Sequence, residues 1–232
     1  GVNAAGTARI KLNGRPGQLV EIQFLEYIRL DGFPSYTNFG FFPEGYVQRV
    51  VYYCKGGEET FVVPFTYFGC QYCMVMGIDD DQVADTSVTL LVCNSDLKER
   101  GSFECSDEVV NKLQSMVRVS DLANFYYFPT DCPHREKNGW TGDAALSAEQ
   151  LTLNFAVENS LSEWMRSIVK SQKENGEICG VVPSTTWGYD CGPSWDIVMF
   201  NIPYYTYIYR GETEMIKEHS SALVQYLHWI ST

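Results

Sequence analysis

The stretch that decides how this chain is organised runs from Thr130 to Asp143 and has the sequence TDCPHREKNGWTGD. It is too rich in proline and glycine for the interior of a helix, so it is predicted to be a loop. Three carboxylates (Asp131, Glu136 and Asp143), one arginine and one large tryptophan lie within it. Carboxylates beside an aromatic surface supply what the cleavage of a sugar requires: a proton donor, acceptors for hydroxyl groups and a flat apolar face.

The part of the chain before residue 100 has the pattern of β-strands. Val20, Ile22 and Phe24 alternate with polar residues, which is the period-two pattern of a half-buried strand. Turn signals such as Asn13-Gly14 separate segments rich in β-branched and aromatic residues. Several short strands with frequent turns predict a β-sandwich. The predicted strands are 8–12, 19–27, 46–53, 60–67, 73–78 and 88–94.

The part after residue 100 has the pattern of helices. Ser106 is expected to cap the first helix, with Asp107 and Glu108 in its first turn and apolar residues from Val109 onward on one face. Pro203 is expected to kink its helix or to delay its start. Further helices are predicted at 144–156, 160–173, 195–209 and 212–230, with a long loop at 175–194. The prediction is therefore a β-sandwich domain at 1–100 followed by a domain of helical hairpins at 101–232.

Composition limits the partners of this chain. A formal net charge of −12 argues against nucleic acid and against anionic membrane surfaces, because phosphate groups are bound by clustered lysine and arginine. No apolar run reaches the roughly 20 residues that a membrane helix needs. An acidic surface is compatible with a neutral ligand such as a sugar, and it also keeps a protein soluble. A homo-oligomer is left open.

The cysteines predict neither a metal site nor a disulfide framework. Among the eight cysteines only Cys70 and Cys73 form a Cys-x-x-Cys pair, whereas a structural zinc site usually needs four ligands. No cofactor and no metal are therefore predicted, and a zinc or redox role for this pair is a remote alternative. Scattered cysteines favour a reducing compartment such as the cytoplasm, although localisation stays undecided. Gly1 in place of Met, and the lack of a stop signal after Ile230, favour a piece of a longer protein.

The loop resembles the signature of bacterial α-L-rhamnosidases, family 78 of the glycoside hydrolases, through the pattern DCPxREKxGWTGDA at 131–144. Other stretches agree with that family. They are FTYxGxxY at 65–72, GxFxCS at 101–106, GVVP at 180–183 and GPxWD at 192–196. The resemblance extends from about Asn3 to Tyr226.

The resemblance implies a β-sandwich that leads into an (α/α)6 barrel, and hydrolysis of terminal α-L-rhamnose with inversion. Glu136 stands where that family has its general acid, and Asp131 and Asp143 stand where its sugar-binding aspartates are. The general base of the family is a second glutamate late in the barrel, beyond the end of this sequence. A barrel of six hairpins needs twelve helices and about five are predicted here. The chain is thus expected to hold the first part of the barrel and to be inactive alone.

The chemistry of an inverting glycosidase makes separate demands on these residues. One carboxyl must be protonated and another ionised. Negative charge on Asp131 and Asp143 would favour a protonated Glu136, and Arg135 would oppose it. Arg135 is therefore expected to point away or to pair with one of the aspartates, and it is kept among the substrate-binding candidates. The alternatives are a surface ion pair for Glu136 and a helix N-cap for Asp143.

Aromatic residues are the next candidates. L-Rhamnose carries a methyl group where most hexoses carry a hydroxymethyl group, so its site is expected to have an apolar wall. Tryptophans in or beside loops could form that wall, namely Trp140, Trp187 and Trp195. Trp164 and Trp229 fall on helix faces and are predicted to lie in the core.

Three neighbours of these candidates have weaker signals. Asp196 is expected either to accept a hydrogen bond from the sugar or to be a charge in the first turn of a helix. Cys132 is expected to pack beside the loop, because no histidine-plus-acid arrangement accompanies it. His134 is taken as an exposed residue without a role.

The sequence therefore predicts a fragment of an inverting α-L-rhamnosidase that acts on rhamnose-containing glycosides, with Glu136 as general acid. One rival is an (α/α)6 glycosidase of another specificity. The other is a non-catalytic sugar-binding or scaffolding protein.

Overall fold

A computed structural model describes residues 2–39, 47–184 and 187–232. The chain forms two compact units, which are Gly1–Asn94 with Cys132–Glu136, and Ser95–Asp131 with Lys137–Thr232. The boundaries 1–100 and 101–232 stay a prediction. Within the described ranges no helix is both long and apolar enough to cross a membrane.

The first unit is a β-sandwich of antiparallel sheets around one apolar core. In one sheet β1 pairs with β9 along one side and with β6 and β7 along the other, and in the second sheet β2 lies between β5 and β8. The strands are β1 Ala4–Gly14, β2 Leu19–Leu25, β3 Tyr27–Ile28, β4 Pro34–Ser35, β5 Gln48–Tyr53, β6 Gly57–Val62, β7 Phe68–Cys70, β8 Tyr72–Met76 and β9 Ser87–Val92.

Alternation along β1 and β2 explains this packing. Ile10 and Leu12 of β1 are buried between exposed neighbours, and Ile22 and Phe24 of β2 are buried in the same core. Full burial of one such side chain contributes roughly 1.5–3 kcal/mol, and a register slip of one residue would expose the buried set of β1. Phe24 also stacks on Phe68, with ring centroids 4.0 Å apart.

Two of the predicted strands differ from the observed ones in their bounds. The segment predicted at 60–67 is displaced, because β6 ends at Val62 and Phe65 has a φ of 57°, a left-handed conformation that cannot continue a strand. The segment predicted at 46–53 begins at a residue outside the described part of the chain, and its described strand is Gln48–Tyr53.

The second unit is helical and begins its regular structure with a capped helix. The helices are α1 Glu108–Ala123, α2 Thr141–Asn154, α3 Glu158–Lys170, α4 Pro193–Asp196, α5 Val198–Arg210 and α6 Glu214–Ile230, and the short strands β10 Phe125–Tyr126 and β11 Phe128–Pro129 form a hairpin after α1. The prediction of Ser106 as the first cap is wrong, because Asp107 accepts hydrogen bonds from the Val109 and Val110 N–H groups at 2.8 and 3.4 Å. Val109 is 76% exposed, and the rest of the apolar face predicted for α1 is largely exposed too.

Helix α3 packs against α5 and α6, and helix α2 packs against α4 and α5. Its small residues Ala144, Ala145 and Ala148 are buried in the core. The helix predicted at 195–209 is divided: α4 ends at Asp196 and α5 begins at Val198, so that α5 starts late and runs on through Pro203. Trp164 is buried as predicted, and its indole N–H donates to the Val182 carbonyl at 2.8 Å.

Candidate functional site

Glu136 forms an ion pair with its neighbour in the chain. Arg135 Nε lies 3.4 Å from Glu136 Oε1, and the Glu136 side chain is 26% exposed. Arg135 Nη1 also donates to the Asn38 carbonyl at 2.9 Å, which fixes the direction of the guanidinium. Arg135 therefore does not point away from Glu136, and the other expectation, a pairing with one of the aspartates, stays a prediction. The ion pair that was the alternative for Glu136 is therefore present, and it is largely shielded rather than fully exposed.

The residues just before Glu136 are anchored to Glu26. Asn3 and Asn38 donate to its two carboxylate oxygens at 2.8 Å each, and His134 Nδ1 lies 3.4 Å from Oε1. The His134 ring is tilted against Phe39, with centroids 5.8 Å apart. The prediction of an exposed His134 is wrong, since its side chain is buried. Glu26 and Asn38 were missed, because nothing local in the sequence links them to a loop about a hundred residues later.

Gly69 provides a second anchor for the same segment. A Cβ atom at Gly69 would lie 2.7 Å from Pro133 Cγ and 2.8 Å from the His134 backbone nitrogen. Gln48 accepts from the Gly69 N–H at 3.0 Å and donates to its carbonyl at 2.7 Å. Only a residue without a side chain therefore fits between Gln48 and the 132–136 segment.

In the second unit, Asp131 is held by backbone groups. The Asn138 N–H donates to Asp131 Oδ1 at 2.8 Å, and the Asp131 N–H donates to the Asn138 carbonyl at 3.0 Å. Lys137 has a φ of 56°, so the chain turns back immediately before Asn138. These contacts fix the direction of the Asp131 carboxylate.

The start of α2 is fixed by the loop around Gly180. The Thr141 N–H and hydroxyl donate to the Gly180 carbonyl at 2.8 and 3.0 Å, and the Val182 N–H donates to the Gly139 carbonyl at 2.8 Å. Trp140 has an extended backbone and packs half-buried against the core. The helix begins at Thr141, so the alternative role of Asp143 as N-cap is wrong. Asp143 is an exposed residue inside the first turn, where the helix dipole favours negative charge.

The other predicted aromatic residues lie around α2. Trp187 is 48% exposed, and its ring meets the Trp140 ring edge-on, with centroids 5.8 Å apart. The Trp195 ring covers Gly142, where a Cβ atom would lie 2.6 Å from its Cε2 atom. Trp195 remains partly exposed. The glycine of the WTGD sequence thus makes room for an indole.

Of the two expectations for Asp196, the structure agrees with the acidic residue in the first turn of a helix, here α4, and not with an accessible acceptor. It is 1% exposed, and the Tyr226 hydroxyl donates to its Oδ2 at 3.0 Å. Burial raises the pKa of Asp196 to about 6, against the hydrogen bond from Tyr226 that lowers it. The geometry indicates a core carboxyl rather than a group on an open wall.

One cavity brings two of the predicted carboxylates together. Asp131 and Asp143 both line a cavity of ≈ 260 Å³ between the end of α1, the following hairpin and α2. Asp121 of α1 lines the cavity as well, and it was not among the residues predicted for the site. In the sequence, Asp121 is an acidic residue near the end of a helix that contains both polar and apolar residues. Nothing in that pattern distinguishes it from an acidic residue on the surface.

The Cys-x-x-Cys pair does not have the setting of a metal site. Cys70 is buried and Cys73 is exposed, and a structural zinc site usually needs four ligands. In the described part of the chain, neither Cys70 nor Cys73 joins a group of three potential ligands.

The family models match the chain in the order of its two units. Residues 1–94 match the bacterial alpha-L-rhamnosidase concanavalin-like domain, and residues 98–232 match the bacterial alpha-L-rhamnosidase 6 hairpin glycosidase domain. The chain belongs to the bacterial α-L-rhamnosidase family. The predicted order of a β-sandwich and the first helices of a six-hairpin barrel is confirmed.

Individual members of the rhamnosidase family agree with this assignment. An α-L-rhamnosidase of Formosa agariphila is 31% identical, over 94% of this chain and 24% of its own length. The structure of an α-L-rhamnosidase from Dictyoglumus thermophilum has a TM-score of 0.87 and 30% identity, covering 98% of this chain and 26% of its own. A Streptomyces avermitilis α-L-rhamnosidase complexed with L-rhamnose shares the fold at a TM-score of 0.89 and 24% identity, covering 99% and 22%. The chain thus spans about a quarter of the length of these relatives.

Proposed function

We propose that this chain is part of an α-L-rhamnosidase that removes terminal α-L-rhamnose from glycosides with inversion. The single observation that carries the proposal is the cavity that both Asp131 and Asp143 line, at the start of α2. Membership of the rhamnosidase family supports the substrate class.

Glu136 is the proposed general acid. Its proton goes to the glycosidic oxygen as the bond from that oxygen to the anomeric carbon breaks, and the aglycone leaves as a neutral alcohol. A water molecule attacks the anomeric carbon from the opposite face and loses its proton to a carboxylate base. We assign that base to no residue of this chain.

Arg135 has a place in the same proposal. An acid catalyst must carry a proton when it reacts, whereas an ion pair holds the ionised carboxylate. We therefore propose that the sugar draws the Arg135 guanidinium away from Glu136 and accepts a hydrogen bond from it. The contact of Arg135 Nη1 with the Asn38 carbonyl would limit how far the guanidinium moves.

The remaining contacts follow from chemistry and exposure. The carboxylates of Asp131 and Asp143 are proposed to accept hydrogen bonds from ring hydroxyl groups. Trp140, with Trp187 against its ring, is proposed to face the apolar parts of the sugar, including the methyl group, and Trp195 to extend this wall. Asp196 is left out of the contacts because it is buried.

The experiment uses the full-length gene product that contains this chain, assayed on a panel of aryl glycosides. Glu136→Gln is compared with Glu212→Gln, which changes an exposed glutamate in the same way. We expect cleavage of the α-L-rhamnoside, its loss in Glu136→Gln and wild-type rates in Glu212→Gln, with the β-anomer of rhamnose as the first product. Cleavage of a different glycoside that is lost in Glu136→Gln would replace the substrate and keep Glu136 as the acid. If the protein is folded and cleaves no glycoside of the panel, the interpretation as a non-catalytic sugar-binding protein would be favoured.

A further inference from the structure

Asp121 is a buried carboxylate at the wall of the cavity that Asp131 and Asp143 line. It is 8% exposed and lies near the C-terminal end of α1. The proposed mechanism gives it no role. A carboxylate in such a place needs hydrogen-bond donors, because a buried acceptor without a donor is destabilising.

One oxygen of Asp121 has its donor. Gln150 Nε2 of α2 donates to Asp121 Oδ1 at 2.5 Å. Gln150 in turn accepts from Asn154 at 3.3 Å, and Asn154 accepts from Gln114 at 2.6 Å and from Arg118 at 3.4 Å. This network joins one face of α1 to α2 and holds the Asp121 carboxylate in one orientation.

The other oxygen lacks a donor from the described residues. Asp121 Oδ2 is buried without a hydrogen-bond partner there, and Asn124 Oδ1, one turn later on the same cavity wall, is in the same condition. Asn124 uses its amide N–H to donate to the Ser120 carbonyl at 3.0 Å, so its free group is again an acceptor. Burial raises the pKa of Asp121 to about 6, which agrees with an oxygen that has no donor among the described residues.

Two neighbouring acceptors without donors select a ligand that carries several hydrogen-bond donors. In the described part of the chain, the carboxylates of Asp121, Asp131 and Asp143 do not form a group compact enough to share one metal ion. The cavity wall also presents Ser120, Thr130 and Ser147, whose hydroxyl groups suit an uncharged polar ligand.

We propose that Asp121 is a third ligand-binding carboxylate of this cavity and that its Oδ2 accepts a hydrogen bond from a hydroxyl group of the bound sugar. Asn124 Oδ1 accepts from a neighbouring hydroxyl group. This inference rests on the proposed function, because the ligand is the rhamnosyl group of the substrate.

The test is Asp121→Asn in the full-length gene product. Asparagine keeps an oxygen that can accept from Gln150 and replaces only Oδ2 by a donor. We expect the Kd for L-rhamnose, measured calorimetrically, to rise at least tenfold, with no fall in the unfolding temperature because a buried charge is removed. Gln150→Met removes the donor to Oδ1 and leaves Oδ2 in place. We expect it to lower the unfolding temperature and to raise the Kd for L-rhamnose less than Asp121→Asn does.

Deoxy sugars separate contact from support. The wild type is expected to lose affinity for one of the 2-, 3- or 4-deoxy analogues of L-rhamnose, and Asp121→Asn is expected to show no further loss for that analogue, since both changes remove the same contact. Equal losses in variant and wild type for every analogue would overturn the proposal. So would wild-type affinity in a folded Asp121→Asn protein, while hydrolysis of rhamnosides would leave the proposed function standing. A wild type that neither binds L-rhamnose nor hydrolyses rhamnosides would overturn both proposals.

Discussion

Arg135 Nε lies 3.4 Å from Oε1 of Glu136, and the same guanidinium donates to the Asn38 carbonyl at 2.9 Å. The proposed acid is therefore held by the residue that precedes it, and that residue is held by the β-sandwich. A guanidinium can make both contacts at once because its donors form a rigid fork, whereas an ammonium group is a single point charge.

Arg135→Lys is accordingly expected to lower kcat/KM for an aryl rhamnoside by roughly tenfold, although the charge is kept. Arg29→Lys is the matched control, because Arg29 lies in the same unit and is exposed, with an ion pair to Asp31. The control should retain wild-type kinetics. Unchanged kinetics in Arg135→Lys would mean that the fork has no part in binding or orientation.

The general acid predicts a dependence on the leaving group. Loss of acid catalysis typically lowers a rate by about 10²–10⁴-fold, and the loss shrinks when the departing phenol needs no proton. Glu136→Gln should therefore be strongly impaired on a rhamnoside of an alkyl alcohol and much less impaired on a dinitrophenyl rhamnoside. Rates measured across a series of phenols test this, with Glu212→Gln as control. A uniform loss across the series would assign Glu136 to binding instead of proton transfer.

The β-then-α order was predictable because periodicity is a local property of the sequence. Ile10 and Ile22 alternate with polar neighbours, which indicates one buried face of a strand. The periodicity of the part after residue 100 indicates helices in the same way. The ends of the individual strands and helices were less predictable. Phe65, for example, has a left-handed φ and interrupts a segment whose composition favours a strand. The observed N-cap of α1 lies one residue after the predicted one. Ser106 and Asp107 are both good N-caps, and composition alone does not choose between them.

The residues of the candidate site were predictable only within the motif at 130–143. The motif drew attention to Asp131, Glu136 and Asp143, but Asp121 and Glu26 act through contacts with distant parts of the chain. For Asp196 the sequence left two roles open, and the sugar contact is the one that the structure does not support, since the carboxylate is buried and accepts a hydrogen bond from Tyr226. Burial of a single side chain depends on tertiary packing that no local pattern contains.

Gly69→Ala should disturb both stability and activity. Its new methyl group would meet Pro133 and the backbone of His134 at less than normal contact distance, just ahead of Glu136. We expect the free energy of unfolding to fall by about 1–3 kcal/mol and kcat/KM to fall as well. Gly32→Ala is the control: it strains a turn with a φ of 84° and nothing within 4 Å, so it should lower stability alone. If Gly69→Ala and Gly32→Ala had equal kcat/KM, Gly69 would have no part in positioning the residues around Glu136.

Asp196→Asn tests the buried carboxyl through pH. The pKa of Asp196 is raised to about 6 from its usual 3.8, so the folded state holds the proton more tightly than the unfolded state. The penalty for burying its charge is therefore complete above pH 6, shrinks as the pH falls and vanishes below about pH 4. The variant carries no charge, so it should gain stability over the wild type by about 2 kcal/mol at pH 8 relative to pH 4.

Urea unfolding followed by tryptophan fluorescence at several pH values between 4 and 8 measures this difference. Asp80→Asn removes an exposed aspartate and should show a nearly constant offset over the same range. The amide oxygen that Asp196→Asn introduces can still accept from the Tyr226 hydroxyl, so the comparison isolates the charge. A difference between variant and wild type that is flat between pH 4 and pH 8 would mean that Asp196 reaches solvent or a cationic partner when ionised, contrary to its burial in the core.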